Sequence, residues 1–426
     1  MKKITITLLA AMGLFAWSCT DEPTVEESKE DVPPQEEEEY IPENLRNTLA
    51  WLHYSMTDEE KDANKSINTY SLFLIDQINK ADKGNGFVLS PVTETMLTMM
   101  IANGADEAYR QKVLEIMGHD NMDALNSYGA KLIEALPEKN NGAFLTMANG
   151  LWADNDIKIA DYYAAMIKEN FGAECTNLDF GSAASADLIN DWCKRTTMGL
   201  IPQIIDSKTL SSADVLLAST LFFCGEWAHK FDKSLTKEAD FTTPTGVVKV
   251  QMMHRDWVPS GYYKENDGYV YAASGFSGGS RFQIVLPPED KPLSEAISDM
   301  PEEIIDLITL PEVLYTEDRL HLELPRFSCA SSINFTDIYG SIGLYPSALP
   351  GLNMPVVTNF KSLQKASIKL DEDGATAGAA SYAAATGASG VYVPKDYYVT
   401  ADRPFYFFIT NNYTGTVIFA GLITNP

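Results

Sequence analysis

The spacing of the apolar residues changes part-way along this chain, and the change limits the folds that it can adopt. From Asn64 to Gly84, and again over residues 161–172 and 184–198, apolar residues recur at helical spacing. Later in the chain, apolar stretches bounded by turn residues predict β-strands instead. These stretches cover residues 215–227, 248–254, 268–275, 281–287, 320–327 and 405–423. Helices early and strands late, with hairpins between them, predict an α+β fold built on large mixed, mostly antiparallel sheets.

The segment FVLSP, Phe87–Pro91, predicts a short strand that leads directly into a helix. Ser90 is placed to cap this helix, and Pro91 suits its first turn. The helix body, MLTMMIANG, is apolar on every face, so we expect the helix to be buried.

The length and charge of the chain restrict its class. Its 426 residues, of which 45% are apolar, can bury a sizeable core, and no domain boundary is visible within residues 45–426. Acidic residues outnumber basic ones by 59 to 32. The resulting negative field repels nucleic acid and anionic lipid, so proteins or neutral ligands are the expected partners.

The N-terminus has the pattern of an export signal. Two lysines precede an apolar run that is too short for a membrane span. The ending AWSC resembles a bacterial lipoprotein signal, so residues 1–18 would be removed and Cys19 lipidated; a plain secretory signal is the alternative. Residues 19–44, rich in acids and proline, are expected to form a disordered tether. We therefore expect an exported protein, lipid-anchored at the bacterial cell envelope and surface-exposed or extracellular, with the lipid as its only membrane attachment.

Motifs that would indicate an enzyme fail on their context. The stretch GFSGG, residues 275–279, matches GxSxG, but a strand follows where a nucleophile elbow needs a helix, so Ser277 is expected in a hairpin turn. The 5 histidines form no HExxH motif and lie beside no nucleophile. Asp371–Gly374 lacks the carboxylate that would close a calcium loop. The sequence therefore predicts no catalytic residue, no cofactor and no metal.

The cysteines after Cys19 are widely spaced. They are Cys175, Cys193, Cys224 and Cys329. This spacing indicates neither a zinc site nor a dense disulfide framework and favours buried thiols, with one disulfide left open as the alternative.

Residues 374–391 are unusual because they carry no charge and only one side chain larger than threonine, that of Tyr382. Such a stretch is too poor in large apolar groups to form a core, yet its alanines do not suit an ordinary solvated linker.

Several ordered segments of the chain resemble the serpin family. Phe87–Val92 resembles the FSP segment that opens the family's second helix, and LFFCGEW resembles a family strand that ends in a tryptophan, here Trp227. VTADRPFYFFI, residues 399–409, followed by TGTVIFAGLITNP, is the most specific match. The resemblance implies a single serpin domain over residues 45–426, with about eight or nine helices and an exposed reactive-centre loop at about 372–398.

The resemblance also places a region that controls opening of the main sheet. Its residues here are Ser90, Thr93, Trp227 and Gln364. Two departures fall in or beside this region: Ser219-Thr220 stands where the family usually has Asn-Ala, and Gln364 stands where many animal members have histidine. We expect the hydrogen bonding of this region to differ from the family pattern while the fold is kept.

Glu372-Asp373-Gly374 matches the Glu-x-Gly hinge of a serpin reactive-centre loop, so the small-residue stretch resembles a bait loop. In that family a protease cleaves the loop, forms an acyl-enzyme, and is carried away as the upstream arm inserts into the largest sheet. The resemblance therefore implies a monomeric serine-protease inhibitor that acts as a suicide substrate. The implied hinge residues are Glu372, Gly374, Ala375, Thr376, Ala377, Gly378, Ala379 and Ala380.

Strand alternation gives a check on whether this loop can insert. One face would carry the small side chains of Ala375, Ala377, Ala379, Ser381, Ala383 and Ala385. Small groups suit a strand that enters between packed neighbours, where added volume is destabilising. We expect Tyr382 on the other face, toward solvent, and we expect the hinge to lie at the surface before cleavage.

The scissile bond can be placed in two ways. Counting from the hinge gives Ala388–Ser389, whereas counting back from the C-terminal side gives the stretch Val391, Tyr392 and Val393. Small or aliphatic residues favour an elastase-like protease, with a chymotrypsin- or subtilisin-like protease second because of Tyr392. The alternatives are a non-inhibitory serpin that acts as a binding or structural surface protein and, third, a secreted hydrolase that uses Ser277.

Overall fold

The described part of the chain confirms the α+β prediction. The computed structural model describes residues 56–82, 84–136, 138–140, 143–258, 261–311, 318–375 and 394–426. Its α-helices are α1 (Asp58–Asp82), α2 (Pro91–Gly104), α3 (Glu107–Met117), α4 (Met122–Ala135), α5 (Asp161–Phe171), α6 (Ala183–Thr196), α7 (Ser207–Leu210), α8 (Glu302–Thr309) and α9 (Phe335–Ser341). The residues described thus contain nine α-helices, in agreement with the eight or nine expected.

The strands form three sheets. They are β1 (Phe87–Leu89), β2 (Glu138–Asn140), β3 (Ala143–Asp154), β4 (Glu174–Leu178), β5 (Val215–Glu226), β6 (Lys237–Thr243), β7 (Gly246–Val258), β8 (Tyr262–Asn266), β9 (Tyr269–Gly275), β10 (Ser280–Leu286), β11 (Arg319–Pro325), β12 (Phe327–Asn334), β13 (Phe360–Leu370), β14 (Gly374–Ala375), β15 (Asp396–Thr400), β16 (Phe405–Asn411) and β17 (Val417–Ile423). The six-stranded sheet has the order β1-β17-β16-β10-β9-β8, and the four-stranded sheet has the order β15-β11-β7-β6. The third, which we call the main sheet, has the order β12-β13-β5-β3-β2, with β14 on β5 and β4 on β3.

Helix α1 begins at Asp58, before the apolar period that predicted it from Asn64. A capping box explains the earlier start: the Thr57 amide donates to Glu60 Oε2 (2.8 Å), and the Glu60 amide donates to Thr57 Oγ1 (3.2 Å). The first turn is exposed, so it carries no apolar signal. Burial begins only at Ala63.

Turns divide two of the predicted strands. The stretch 405–423 is a hairpin of β16 and β17, and the stretch 320–327 is divided between β11 and β12. In the first hairpin Gly415 has a φ of +70°, and a Cβ there would lie 1.9 Å from the Thr309 carbonyl oxygen. The turn therefore needs glycine, which a continuous apolar pattern does not reveal.

The main sheet separates two apolar clusters. Leu217 of β5 points into the large core, whereas Leu216 and Ala218 on the opposite face pack beneath α6. The ring centroids of Trp152 in β3 and Trp192 in α6 lie 4.9 Å apart, edge to face. Helix α6 therefore covers the lower part of one face of this sheet.

Strands β13 and β5 are paired along only part of their length. They run parallel from Phe360 opposite Val215 to Gln364 opposite Ser219. Between Ser219 and Gly225 no described strand pairs with this edge of β5, and β14 then pairs with it in the antiparallel direction. We call this unpaired space the sheet gap, and we call its end at Gly225 the top. The paired stretch at the other end, residues 215–219 with 360–364, is the β5–β13 ladder.

Candidate functional site

The chain reverses direction at Asp371–Gly374, directly after β13. The Asp371 amide donates to the Gly374 carbonyl (3.0 Å), and the Gly374 amide donates to the Asp371 carbonyl (3.1 Å). Gly374 has a φ of +129°, and a Cβ there would lie 2.3 Å from the carbonyl oxygen of Gly225. Only glycine fits this position, and the turn directs the next residue into the top of the sheet gap.

Ala375, the first residue after the hinge glycine, already belongs to the main sheet. It lies opposite Gly225 of β5, only 2% of its surface is exposed, and it packs with the large core. The expectation that the hinge lies at the surface is therefore wrong at Ala375, because the turn places it inside the sheet. The remaining predicted loop residues, Thr376, Ala377, Gly378, Ala379, Ala380, Ala388, Ser389, Val391, Tyr392 and Val393, lie outside the described residues.

Trp227 holds the hinge turn from the end of β5. Its indole Nε1 donates to the Asp371 carbonyl (2.9 Å), and its amide donates to the Asp373 carbonyl (3.2 Å). The indole is buried and stacks on Phe276 with ring centroids 4.6 Å apart. The guanidinium of Arg255 lies 5.5 Å from the indole centroid. The predicted tryptophan thus acts as an anchor for the hinge backbone.

Glu372 is tied to the strand segment that joins the main sheet to the four-stranded sheet. Arg326 Nε donates to both Glu372 carboxylate oxygens at 2.8 Å, and Thr236 Oγ1 donates to Oε1. Burial alone would raise the pKa of Glu372, but the hydrogen bonds from Arg326 and Thr236 outweigh it and hold the pKa below its usual value. The hinge glutamate is therefore ionised and fixed.

A second acid of the hinge is paired as well. Lys233 donates a hydrogen bond to Asp373 and lowers the pKa of its carboxyl, and Lys230 Nζ lies 3.4 Å from Asp373 Oδ1. The same lysine lies 3.9 Å from Glu226, which is fully buried. The hinge is thus held by charges from the segment that follows β5.

Gln364 joins the main sheet to the start of α2. Its Nε2 donates to the Ser90 carbonyl (2.9 Å) and to Thr93 Oγ1 (3.1 Å), and its Oε1 accepts from the Ser90 amide (2.8 Å). Three of the residues predicted for sheet opening therefore meet in one network. The neutral amide of Gln364 makes these contacts at the position where, by the resemblance, many animal members of the family have histidine.

Ser90 occupies the N-cap position of α2, but its side chain makes no capping hydrogen bond. Its hydroxyl has no partner among the described residues, and neither has the hydroxyl of Ser219. Ser219 lies between Asn149 of β3 and Gln364 of β13 in the sheet register. The prediction that Ser90 caps the helix with its side chain is wrong, because the hydroxyl accepts no hydrogen bond from an amide of the first turn. The contacts of Ser90 with Gln364 are made by its backbone amide and carbonyl.

Sequence reasoning missed Glu94, which lies one residue after Thr93 and is fully buried in α2. Its Oε1 accepts from the Tyr339 hydroxyl and from Ser362 Oγ of β13 (3.1 Å). The available signal was a carboxylate within a helix predicted to be buried on every face.

A family model described as Serpin (serine protease inhibitor) matches residues 65–426. The chain belongs to the serpin family. Serpin-Z10 of Arabidopsis thaliana is 28% identical to this serpin over 365 residues, which cover 80% of this chain and 92% of the relative. Antitrypsin of Bombyx mori is 26% identical over 377 residues, covering 84% and 93% of the two chains.

Solved structures support the same assignment. The native state of tengpin, a thermophilic serpin, is 25% identical, has a TM-score of 0.72, and the match covers 87% of this serpin and 96% of that chain. Human thyroxine-binding globulin also has a TM-score of 0.72, at 19% identity and with 86% and 99% coverage, which shows the shared fold alone. Because one fold includes proteins named for ligand binding and for protease inhibition, the fold does not assign an activity.

Other sequence predictions can be compared with the described residues. Ser277 lies in the hairpin between β9 and β10, as predicted, where Gly278 and Gly279 have φ values of +90° and +88°. Cys175, Cys193 and Cys329 are free thiols. Among the residues that the structure describes, no group of three or more histidine, cysteine or acidic side chains could hold a metal, and no helix is long and apolar enough to cross a membrane.

Proposed function

We propose that this serpin inhibits serine proteases as a suicide substrate. The observation that carries the proposal is the position of Ala375, which lies in β14 at the top of the sheet gap. A protease that attacks the downstream loop would form an ester between its catalytic serine and the residue before the scissile bond, and the amine of the next residue would leave. The freed upstream arm would then extend β14 into the gap.

The register of β14 defines how far the arm can move at little cost. If the pairing of Ala375 with Gly225 continues, residues 376–380 would fill the sheet gap without separating any described strands. Ser381 would reach Ser219, where the β5–β13 ladder begins. From that residue onward, insertion must break the ladder one residue pair at a time, so we expect the barrier there.

The same register assigns faces to the inserted side chains. Ala379 would lie beside Leu221, which already packs in the large core, so a small group suits it. Tyr382 would lie beside Ala218, which is buried beneath α6. If the register continues this far, Tyr382 would not face solvent as expected, and we propose that its ring must pass beneath α6 late in insertion.

The proposed target is an elastase-like protease, with a chymotrypsin- or subtilisin-like protease second. Support comes from the residue types in the loop, because small and aliphatic side chains fit a small specificity pocket. Ala388–Ser389 is the proposed scissile bond, and the stretch Val391–Val393 is the second choice.

We also propose that the mature chain begins at lipid-modified Cys19 and is exported to a bacterial cell envelope. The support is the lysine-led apolar run and the acidic, proline-rich stretch that follows it. Cys19→Ala should move the protein from the membrane fraction to the soluble fraction; an unchanged distribution would refute the anchor.

The inhibitory proposal is tested with a panel of elastase-, chymotrypsin- and subtilisin-like proteases. We expect a protease–serpin complex that survives boiling in detergent, together with a C-terminal fragment whose mass shows that it begins at Ser389. A fragment that begins between Tyr392 and Pro394 would select the second bond. Cleavage by every enzyme without a stable complex would instead identify a non-inhibitory serpin.

A further inference from the structure

Glu94 is a buried acid that touches the closed part of the main sheet. None of its surface is exposed, and its Oε1 accepts hydrogen bonds from Tyr339 of α9 and from Ser362 of β13. Its Oε2 has no partner among the described residues. One carboxyl group thus contacts a helix and a strand while half of its hydrogen-bonding capacity is unused.

The strand contact lies within the part of the sheet that has to open. Ser362 is opposite Leu217 in the β5–β13 ladder, two residues from Gln364. The Ser362 side chain is fully buried on the core face of β13. Separation of β13 from β5 would expose this face and bring water toward the carboxyl group.

The groups that face Glu94 do not neutralise its charge. They are Tyr70 of α1, Tyr109 of α3 and Tyr339 of α9, and burial raises the pKa of each hydroxyl well above its usual value, so these groups stay neutral. Thr98 of α2 and Ser362 of β13 complete the polar surroundings. Among the described residues, the side-chain contacts of the Glu94 carboxyl are with the hydroxyl groups of Tyr339 and Ser362, and no lysine, arginine or histidine forms an ion pair with it.

We propose that Glu94 is a proton-dependent latch on the β5–β13 ladder: the neutral carboxyl is compatible with the closed ladder, and ionisation favours separation of the two strands. A buried carboxylate without a cation is costly, and water that enters between the strands removes that cost. In support, burial raises the pKa of Glu94 to about 7 in the closed state. The latch goes beyond the proposed inhibition and does not depend on it.

The sign of the pH dependence follows from proton linkage. The pKa is raised in the closed state, so the stabilisation is fully present below the ordinary pKa of a glutamate and is lost as the pH rises through about 7. If an opened ladder restores the ordinary value, opening releases one proton. The open population then increases about tenfold per pH unit between roughly pH 5 and 7 and is constant above that range.

Hydrogen exchange of the backbone amides measures this opening in the full-length protein without a protease. We expect protection in residues 360–364 and 215–219, after correction for the intrinsic exchange rate, to fall about tenfold per pH unit between pH 5 and 7. Glu94→Gln keeps an acceptor for Tyr339 and Ser362 but cannot ionise, so its protection should not change with pH. Amides of the β10–β16 pair are the internal reference and should not change in either protein.

Three results would overturn the latch: no pH dependence in the ladder of the unmodified protein, the same dependence in Glu94→Gln, or an equal dependence in β10–β16, which would indicate global unfolding. If Glu94→Gln does not fold, Glu94→Leu replaces it with the same expected flat profile. The exchange result stands whether or not a protease complex forms, so failure of the latch and failure of the inhibitory proposal can be distinguished.

Discussion

The substitution Ala375→Arg tests strand insertion at its first step. Ala375 is buried opposite Gly225, where a Cβ would lie 3.2 Å from the ring of Phe276. An arginine there must either bury an unpaired charge, which costs several kcal/mol, or leave the sheet with the rest of β14. We expect the second outcome, because loss of the short strand β14 costs less free energy than burial of an unpaired charge.

The pairing of β14 gives the free energy of unfolding that the uncleaved variant should lose. Two residue pairs join β14 to β5, and hydrogen bonds of this kind contribute roughly 0.5–1.5 kcal/mol each. Expulsion of β14 should therefore cost about 1–3 kcal/mol, equivalent to a fall of roughly 1–4 °C in Tm for a chain of this size. The uncleaved variant should be slightly less stable, not unchanged.

The effect on inhibition should be much larger than the effect on stability. When the loop cannot begin to insert, hydrolysis of the acyl-enzyme is faster than insertion. Ala375→Arg should therefore be cleaved at the normal rate without forming a detergent-stable complex. Thr376→Arg is the matched control, because its side chain would project on the opposite, partly exposed face beside Cys224. Full inhibition by Ala375→Arg, or equal loss in both variants, would refute insertion on this register.

Three other substitutions test separate parts of the site. Glu372→Gln should lower the free energy of unfolding at pH 7 by about 1–2 kcal/mol, because Arg326 is partly exposed and the pair is screened. The lowered pKa of Glu372 stabilises the fold above the ordinary glutamate pKa, and this stabilisation is lost as the pH falls through the pKa of the folded state. In chemical denaturation, the free energy of unfolding should therefore fall less steeply at acid pH in the variant than in the unmodified protein. An identical acid dependence would contradict the ion pair. Gly374→Ala should lower the Tm and weaken complex formation because of its φ and the 2.3 Å contact, and a neutral result would exclude this turn. Tyr382→Ala should raise the fraction of cleavage events that end in a stable complex, and no gain would show that the ring does not hinder insertion beneath α6.

Local patterns were sufficient for most of the architecture. The helical period predicted residues 161–172 and 184–198 within a few residues of α5 and α6, and the glycines of GFSGG correctly indicated a hairpin. The start of α1 was missed because its capping box involves polar side chains outside the apolar period. The division of residues 405–423 was missed because a tight turn fits inside a continuous apolar stretch.

The contacts of the candidate site could not be predicted from the sequence. The resemblance to serpins singled out Trp227 and Gln364, whereas their partners, the Asp371 carbonyl and the first turn of α2, lie far away in the chain. Arg326 is 46 positions from Glu372, and no short pattern links them. Such pairs depend on which strands become neighbours, and local propensity does not specify this.

The sequence alone determined the α+β class and the small side chains of residues 374–391, because these follow from residue size and alternation, whereas the hinge glycine came from the resemblance to serpins. Only the tertiary structure decided that Ala375 is already within the sheet and that Ala218 of β5 is buried beneath α6. It also placed the carboxyl of Glu94 against Ser362, more than two hundred residues away in the chain. The physical reason is that burial and unsatisfied polar groups are properties of a packed neighbourhood, which long-range strand pairing creates.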